Sequence, residues 1–399
     1  MKRKISFGTI NITRNAKDII NQVIKTTRVS QGKYVRDFEK RFASLFDRKY
    51  GVAVSSGTDA LAIALSVLYD FGAKRGDEII LPALTFIGTA NAVLMAGFTP
   101  VFVDVEIDTL NINPSLIEKS ITKKTRAILP VHLMGKPCNM DEVIKISKEY
   151  NLFLIEDAAE AHGSEYKGKK IGSFGDMSCF STYIAHIIST IEGGIVLTDN
   201  SEYADILRSL RAHGRACKCE VCVINLGSNY CKKRFKYGKD IRFVFERVGF
   251  SSKMNEIEAA VGIGNIKIFD KILKQRRKNL ISLMKKFKEF SKYFYIIEEK
   301  PFEKIAPHGF PLVIKEKNKI NRNELIIYLA ENGIDTRDLF SSIPTQCDGY
   351  KFLGYRYGEF PIAEYIGENG LHFGVHQDLN EDDIEYIFNT VKRFIKEKL

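Results

Sequence analysis

The sequence predicts an α/β protein: a mostly parallel sheet flanked by helices, followed by a smaller C-terminal α/β domain. Two patterns predict the layered α/β part. Over roughly the first 200 residues, short apolar runs rich in Val and Ile alternate with longer amphipathic stretches, the alternation that builds parallel sheets with crossover helices. Beyond residue 265 the chain turns Lys-rich and helical before a second, shorter set of strand-like runs. At roughly 150 residues per domain, 399 residues make two or three domains. The boundary is placed inside the Lys-rich stretch, giving a large domain, 1–265, and a small one, 266–399.

In order, the spacing predicts a helix over Val35 to Leu45 and a strand over Tyr50 to Ser56. SGTDALAIALSVLYDF reads as a turn entering a helix, with Ser56 or Thr58 as N-cap. Strands follow at Glu78 to Leu84, Pro100 to Val105, Ala127 to Leu133 and Leu152 to Asp157, with helices at TANAVLMAGF and DEVIKISKEY between them. MSCFST and GGIVLTD read as a further strand pair. KIFDKILKQRRKNLISLMKKFKEF reads as one long amphipathic helix bridging the domains, and GFPLVIK and NRNELIIYLAENGID as the start of the small domain.

Composition narrows the function classes. Lys and Arg number 60 against 49 Asp and Glu, a formal charge of +11, with 45% hydrophobic and 27% charged residues, a globular and not a disordered profile. No apolar run reaches the ~18 residues of a membrane span, and the N-terminus lacks the apolar core of a secretory signal. We therefore expect a cytoplasmic protein. Basic residues are scattered, with clusters at Lys232, Lys233, Arg234 and at Lys274, Arg276, Arg277, Lys278. This suits a small anionic ligand and not a nucleic-acid groove. Of seven Cys, the four at 217, 219, 222 and 231 lie close together, which in a reducing compartment reads as a metal site or as free thiols, not disulfides.

Four features converge on one cofactor. SSGTDAL places Gly57 and Thr58 where a strand turns into a helix, so that backbone N–H groups, a hydroxyl and the positive end of the helix dipole can meet a phosphate. LFLIED ends a strand with Glu156 and Asp157 at the carboxyl edge, where open α/β sheets place ligands. A carboxylate fixed there can hold the protonated ring nitrogen that pyridoxal phosphate needs as an electron sink. Phe86, just after a strand, can stack on a planar ring, and CFSTYIAHIISTIEGG carries Ser181, His186 and the pair Gly193, Gly194. Each alone has an ordinary structural reading: a cap, a core ring, a satisfied histidine.

Taken in order, SSGTDAL, Thr85-Phe86, VHLMGKP, IEDAAEAHG, CFSTYIAHIISTIEGG, RAHG and GFSSKMNEIEAAVG resemble the sugar aminotransferases of DegT and StrS type. The resemblance implies fold type I, pyridoxal or pyridoxamine 5'-phosphate as cofactor, and a homodimer with a shared active site. It implies that Asp157 binds the pyridine nitrogen, that Phe86 stacks on the ring, and that Gly57, Thr58 and Ser181 hold the phosphate. Glu160 stands where aminotransferases often carry Gln, near the ring hydroxyl. Ser251 stands where an Asn of the second subunit usually touches the phosphate.

The resembling aminotransferases carry a Schiff-base lysine six residues before the Glu of EGG; counted back from Glu192, that position here is His186. The same exchange marks the 3-dehydratases that make 3,6-dideoxysugars, so the resemblance implies removal of the C3 hydroxyl from a nucleotide-diphosphate 4-keto-6-deoxy sugar, with glutamate regenerating the amine. His213 and Arg337 are further candidates for substrate contact. The cysteines, spaced C-x-C-x2-C-x8-C, are similar to the segment holding a [2Fe-2S] cluster in the CDP-linked dehydratases. That likeness offers Cys217, Cys219 and Cys231, with Cys222 as fourth ligand, and implies a partner reductase; zinc and free thiols are the alternatives. A noncatalytic sugar-binding or regulatory protein on the same fold is the competing reading.

Overall fold

A computed structural model describes residues 4–398 apart from 221, 225–227, 229, 316–319 and 342. Seven strands make the main sheet: β1 (Tyr50–Val54), β2 (Glu78–Pro82), β3 (Thr99–Val103), β4 (Thr125–Ile128), β5 (Phe153–Asp157), β6 (Met177–Ser181) and β7 (Gly194–Thr198), in the spatial order β1-β7-β6-β5-β4-β2-β3. The pairs from β3 through β6 are parallel, as the alternating pattern predicts, whereas β7 runs antiparallel to both β6 and β1. The return through residues 182–193 contains no helix, and β7 lies beside β6 in the opposite direction.

Apolar layers cover both faces. One contains the nearly all-buried helix Gly57–Val67 and the helix Ile87–Met95; the other is built on Phe38, Phe42, Phe46 and Phe180. The stretch predicted as a strand over Ala127 to Leu133 stops at Ile128, because Pro130 has no N–H to give the ladder. Its carbonyl instead accepts the Asp157 N–H at 2.9 Å.

The predicted Lys-rich helix, Lys267 to Phe290, is the helix Phe269–Phe287 with a closing 3-10 turn at Lys288–Phe290; a separate helix, Glu256–Lys267, precedes it across Ile268. A second sheet follows: β8 (Phe294–Ile296), β9 (Gly309–Ile314), β10 (Thr336–Asp338) and β11 (Gly370–Gly374), all antiparallel in the order β8-β9-β11-β10. It has its own apolar core, which includes Ile5 from the N-terminus. The N-terminal strap therefore lies on the C-terminal sheet, held by Ile5 N–H to Gly333 O at 2.8 Å and by the return bond from Asp335 at 2.9 Å. The helix Arg14–Thr26 then crosses to pack on Glu256–Lys267.

Candidate active site

The carboxyl end of β5 places two adjacent carboxylates on opposite faces. Glu156 is fully buried and accepts from the amides of Gly172 (2.9 Å), Phe174 (2.8 Å) and Gly175 (2.8 Å). Burial opposes its charge, but His132 at 3.4 Å and these amides prevail and hold it below the usual carboxylate range. Glu156 is a structural anion. Asp157, 3% exposed, has only neutral partners: the Thr89 hydroxyl at 2.9 Å, itself paired with Thr85, and the Ala159 amide at 3.1 Å. Burial pushes its carboxyl up, and among the described residues no Lys or Arg pairs with it. A cationic ring nitrogen is the partner this carboxylate fits.

Beside it lies an anion cradle. Ser56 caps the helix Gly57–Val67 by accepting the Asp59 amide at 3.0 Å, as the first alternative predicts, and the first-turn amides of Gly57 and Thr58 have no intrahelical acceptor. A Cβ on Gly57 would stand 2.7 Å from Ser181 Cβ, so only glycine lets the helix start come so close to the end of β6. Thr58 and Phe86 meet over Gly88, whose Cβ would lie 2.8 Å from Thr58 Oγ1 and 3.0 Å from Phe86 Cδ1. Phe86 is 61% exposed, so its ring is free to stack on a flat ligand. The structure thus gathers Gly57, Thr58, Ser181 and Phe86, with Asp157 at the neighbouring strand end. Phosphate on the amides and hydroxyls, pyridinium on Asp157 and a ring face on Phe86 is a set that fits a pyridoxal-type cofactor.

The segment between β6 and β7 carries His186. Its base is tied by Thr182 N–H to Gly193 O at 2.9 Å, Thr190 N–H to Thr182 O at 2.8 Å, and the two Thr hydroxyls at 2.5 Å. Gly193 has φ +147°, and a Cβ there would lie 2.4 Å from Thr190 Oγ1; one on Gly194 would lie 2.3 Å from Ser56 O. Gly194→Ala should therefore displace the helix cap, lowering thermal stability by about 2–3 kcal/mol and weakening phosphate binding, as overpacking does elsewhere; unchanged melting and unchanged phosphate affinity would contradict this.

His186 sits in a stack of imidazoles. His162 lies on one side, with centroids 5.7 Å apart and planes 19° apart, and His308 is 4.8 Å away at 39°. Tyr183 closes on it edge-first at 6.4 Å. The ring Nδ1 is buried without a partner among the described residues. Burial, helped by Arg276, lowers its pKa to about 3, so the imidazole is neutral in the empty cleft. Arg276, which the sequence groups with surface cations, is 1% exposed and spends its guanidinium on Gln377 (3.1 Å), Ala185 O (3.4 Å) and Pro307 O (3.5 Å). It ties the loop of His186 to the second half of the molecule.

Glu160 accepts the Met134 amide at 2.6 Å through Oε2 and faces His308 Nε2 at 3.8 Å through Oε1. Burial, with Asp157 adding to it, pushes its carboxyl up to about 8. As a neutral acid it offers one donor and one acceptor, the hydrogen-bonding face of a Gln amide. In the cofactor-free protein this has a sign. The buried histidines, with lowered pKa values, cost stability as pH falls below about 6.5, whereas Glu160 must remain protonated and costs stability as pH rises from 4.5 toward about 8. Glu160→Gln should remove the second slope, worth up to about 5 kcal/mol, so the variant's melting temperature should change less than wild type's between pH 6.5 and 8. Equal slopes would contradict the assignment.

Other candidates lie apart. Ser251 is exposed and bridges Ala212; its neighbour Ser252 accepts the Ser55 amide at 3.2 Å, which brings this strip of the same chain beside the cradle. His213 is exposed at φ 67°, and its ring is not in the stack. Arg337, exposed, pairs with Asp335 at 2.6 Å and lies 5.2 Å over the Phe7 ring, which in turn meets His308 and His372 edge-on.

The [2Fe-2S] expectation finds no support. Among the described residues no group of three or more His, Cys, Asp or Glu side chains is arranged to hold a metal ion. Cys217, Cys219, Cys222 and Cys231 are partly exposed free thiols. Burial and the neighbouring Cys217 push the Cys219 thiol up. The sequence reading missed Thr89, His162, His308 and the buried role of Arg276.

A mostly parallel sheet with an anion cradle, a ring-stacking Phe and a buried carboxylate at one edge defines a fold type I site of the pyridoxal phosphate class. The chain belongs to the DegT/DnrJ/EryC1/StrS aminotransferase family, whose model matches residues 11–392. It is 34% identical to a GDP-4-keto-6-deoxy-D-mannose 3-dehydratase of Yersinia pseudotuberculosis over 98% of this chain and 100% of that one. It is 33% identical to a GDP-perosamine synthase of Escherichia coli O157:H7 over 97% and 98%. Among solved structures, the E. coli GDP-4-keto-6-deoxy-D-mannose-3-dehydratase with bound hydrated PLP superposes with a TM-score of 0.86 at 30% identity, covering 97% of this chain and 100% of that one. Among the described residues no helix is long and apolar enough to cross a membrane.

Proposed function

We propose that the protein is a pyridoxamine-phosphate-dependent dehydratase that removes the C3 hydroxyl of a nucleotide-diphosphate-linked 4-keto-6-deoxy sugar, in the making of a 3,6-dideoxysugar for a surface polysaccharide. One observation carries the choice between dehydratase and aminotransferase: the loop beside the cradle presents His186 where an aminotransferase needs a lysine. Solved and curated relatives with dehydratase names support it.

In this reading Gly57, Thr58 and Ser181 hold the phosphate, Phe86 covers the ring and Asp157 keeps its nitrogen protonated. The bound cofactor supplies an amine for the C4 ketone and a sink for electrons. His186 removes a proton from the cofactor's methylene carbon and, held between two rings, cannot swing away. A bound anionic cofactor would favour the protonated form of His186 and so would shift its pKa up from that of the empty cleft. Arg337 and His213 are candidates for the nucleotide sugar, and glutamate for the amino donor. A dimer sharing its sites belongs to the same proposal.

With glutamate, each sugar that loses its C3 oxygen should yield one 2-oxoglutarate and one ammonium ion, and the released sugar should hold no new nitrogen. Nitrogen retained at C4 of an otherwise intact sugar would overturn the reading.

A further inference from the structure

The stack around His186 holds a group that this chemistry leaves unused. His308 comes from the second half of the molecule, one residue ahead of β9, and its backbone N–H reaches Met134 O at 3.3 Å. The residue is 9% exposed. Its ring lies 4.8 Å from that of His186, while its Nε2 faces Glu160 Oε1 at 3.8 Å, and its Nδ1 is buried without a partner among the described residues. Met134 clamps both, since its amide donates to Glu160 Oε2. Carboxyl, imidazole and imidazole thus stand in a row, with Phe7 edge-on to the His308 ring and His372 and the Arg276 guanidinium among its neighbours.

We propose that Glu160 and His308 form a second acid–base pair of the site, supplying the proton that departs with the C3 hydroxyl while His186 takes its own proton from carbon. The proposal rests on the dehydratase reading. In the step, Glu160 Oε1 closes from 3.8 Å onto His308 Nε2, directly or through one water, and the Glu160 O–H bond breaks as Nε2 gains a proton. The proton on His308 Nδ1 passes to the hydroxyl oxygen, which leaves C3 as water with the C–O electron pair. The pair that replaces it is the one freed when His186 takes its proton. Protonated His186 then returns one proton through His308 to Glu160, so no net proton or electron is consumed. The resting charges suit this direction: burial holds Glu160 in its acid form and, with His186, His372, Arg276 and His162 around it, keeps His308 neutral.

Two measurements on the full chain test it. In the cofactor-free protein with carboxyl-labelled Glu, the Glu160 resonance should titrate near pH 8 and move in His308→Asn. In the enzyme loaded with pyridoxamine phosphate, two sugars are compared in deuterated water: a 4-keto-6-deoxy nucleotide sugar, and its 3-deoxy counterpart, which has no hydroxyl to lose. His308→Asn should slow water loss by about 10²–10³-fold while leaving deuterium exchange at the cofactor's methylene with the 3-deoxy sugar within about threefold of wild type, and Glu160→Gln should slow water loss by a similar factor. His186→Asn should lose both. Equal loss of exchange and water release in His308→Asn would overturn the proposal, because His308 would then only hold His186 in place. A Glu160 resonance at the ordinary carboxylate position, unmoved by His308→Asn, would overturn the pair while the dehydratase reading stands. Wild-type exchange without water loss from any sugar would overturn that reading and the proposal with it.

Discussion

His186→Asn should abolish loss of the C3 oxygen, with turnover falling by about 10²–10⁴-fold, the span that one general base contributes. Asn nearly matches the imidazole in reach but accepts no proton at neutral pH. Cofactor affinity, followed by absorbance on titration, should stay within about threefold of wild type, because the cradle of Gly57, Thr58 and Ser181 and the carboxylate of Asp157 are built without the His186 ring. Unimpaired turnover in this variant would remove His186 from the chemistry, and a cofactor affinity lost in parallel would assign it to binding.

Asp157→Asn should separate the other half of the account. The amide keeps the reach to Thr89 but not the charge. A hydrogen bond to a charged group is worth about 1.5–3 kcal/mol, so the cofactor's Kd should rise by about 10- to 150-fold. Turnover at saturating cofactor should fall as well, since the ring then loses the proton that makes it an electron sink. The empty protein should melt no lower than wild type, because the substitution removes a buried carboxylate whose charge burial already disfavours. Calorimetry on the empty and loaded forms checks both statements; a destabilised empty form with unchanged affinity would make Asp157 a structural residue like Glu156.

What could be read without coordinates follows from the range of each interaction. The strand ends at Asp157 and Ser181 and the Ser56 cap are local patterns, and they stand where periodicity and capping chemistry put them. The Lys-rich helix also stands where its apolar period puts it, over Phe269–Phe287. The antiparallel direction of β7 is not legible, because the twelve residues before it, 182–193, fit either a hairpin-like return or a crossover. His162 and His308 come to His186 from 24 residues before it and 122 residues after it, through the sheet and the second half of the molecule. The signals available were the His-Gly pairs in AEAHG and APHGF. Arg276 was hidden among the lysines of an amphipathic helix, although it occupies the buried side. Cysteine spacing suggested a metal that the arrangement of the side chains does not support.

The measurement that tests the central claim most directly is the mass of the product formed from CDP- and GDP-linked 4-keto-6-deoxy sugars in the presence of pyridoxal phosphate and glutamate. The account predicts, with one of these nucleotides, a sugar lighter by one oxygen and without nitrogen, formed by the wild type and not by His186→Asn. A sugar that keeps its C3 oxygen and carries an amine in place of the ketone would mean transamination without the lysine, and would contradict the role given to His186.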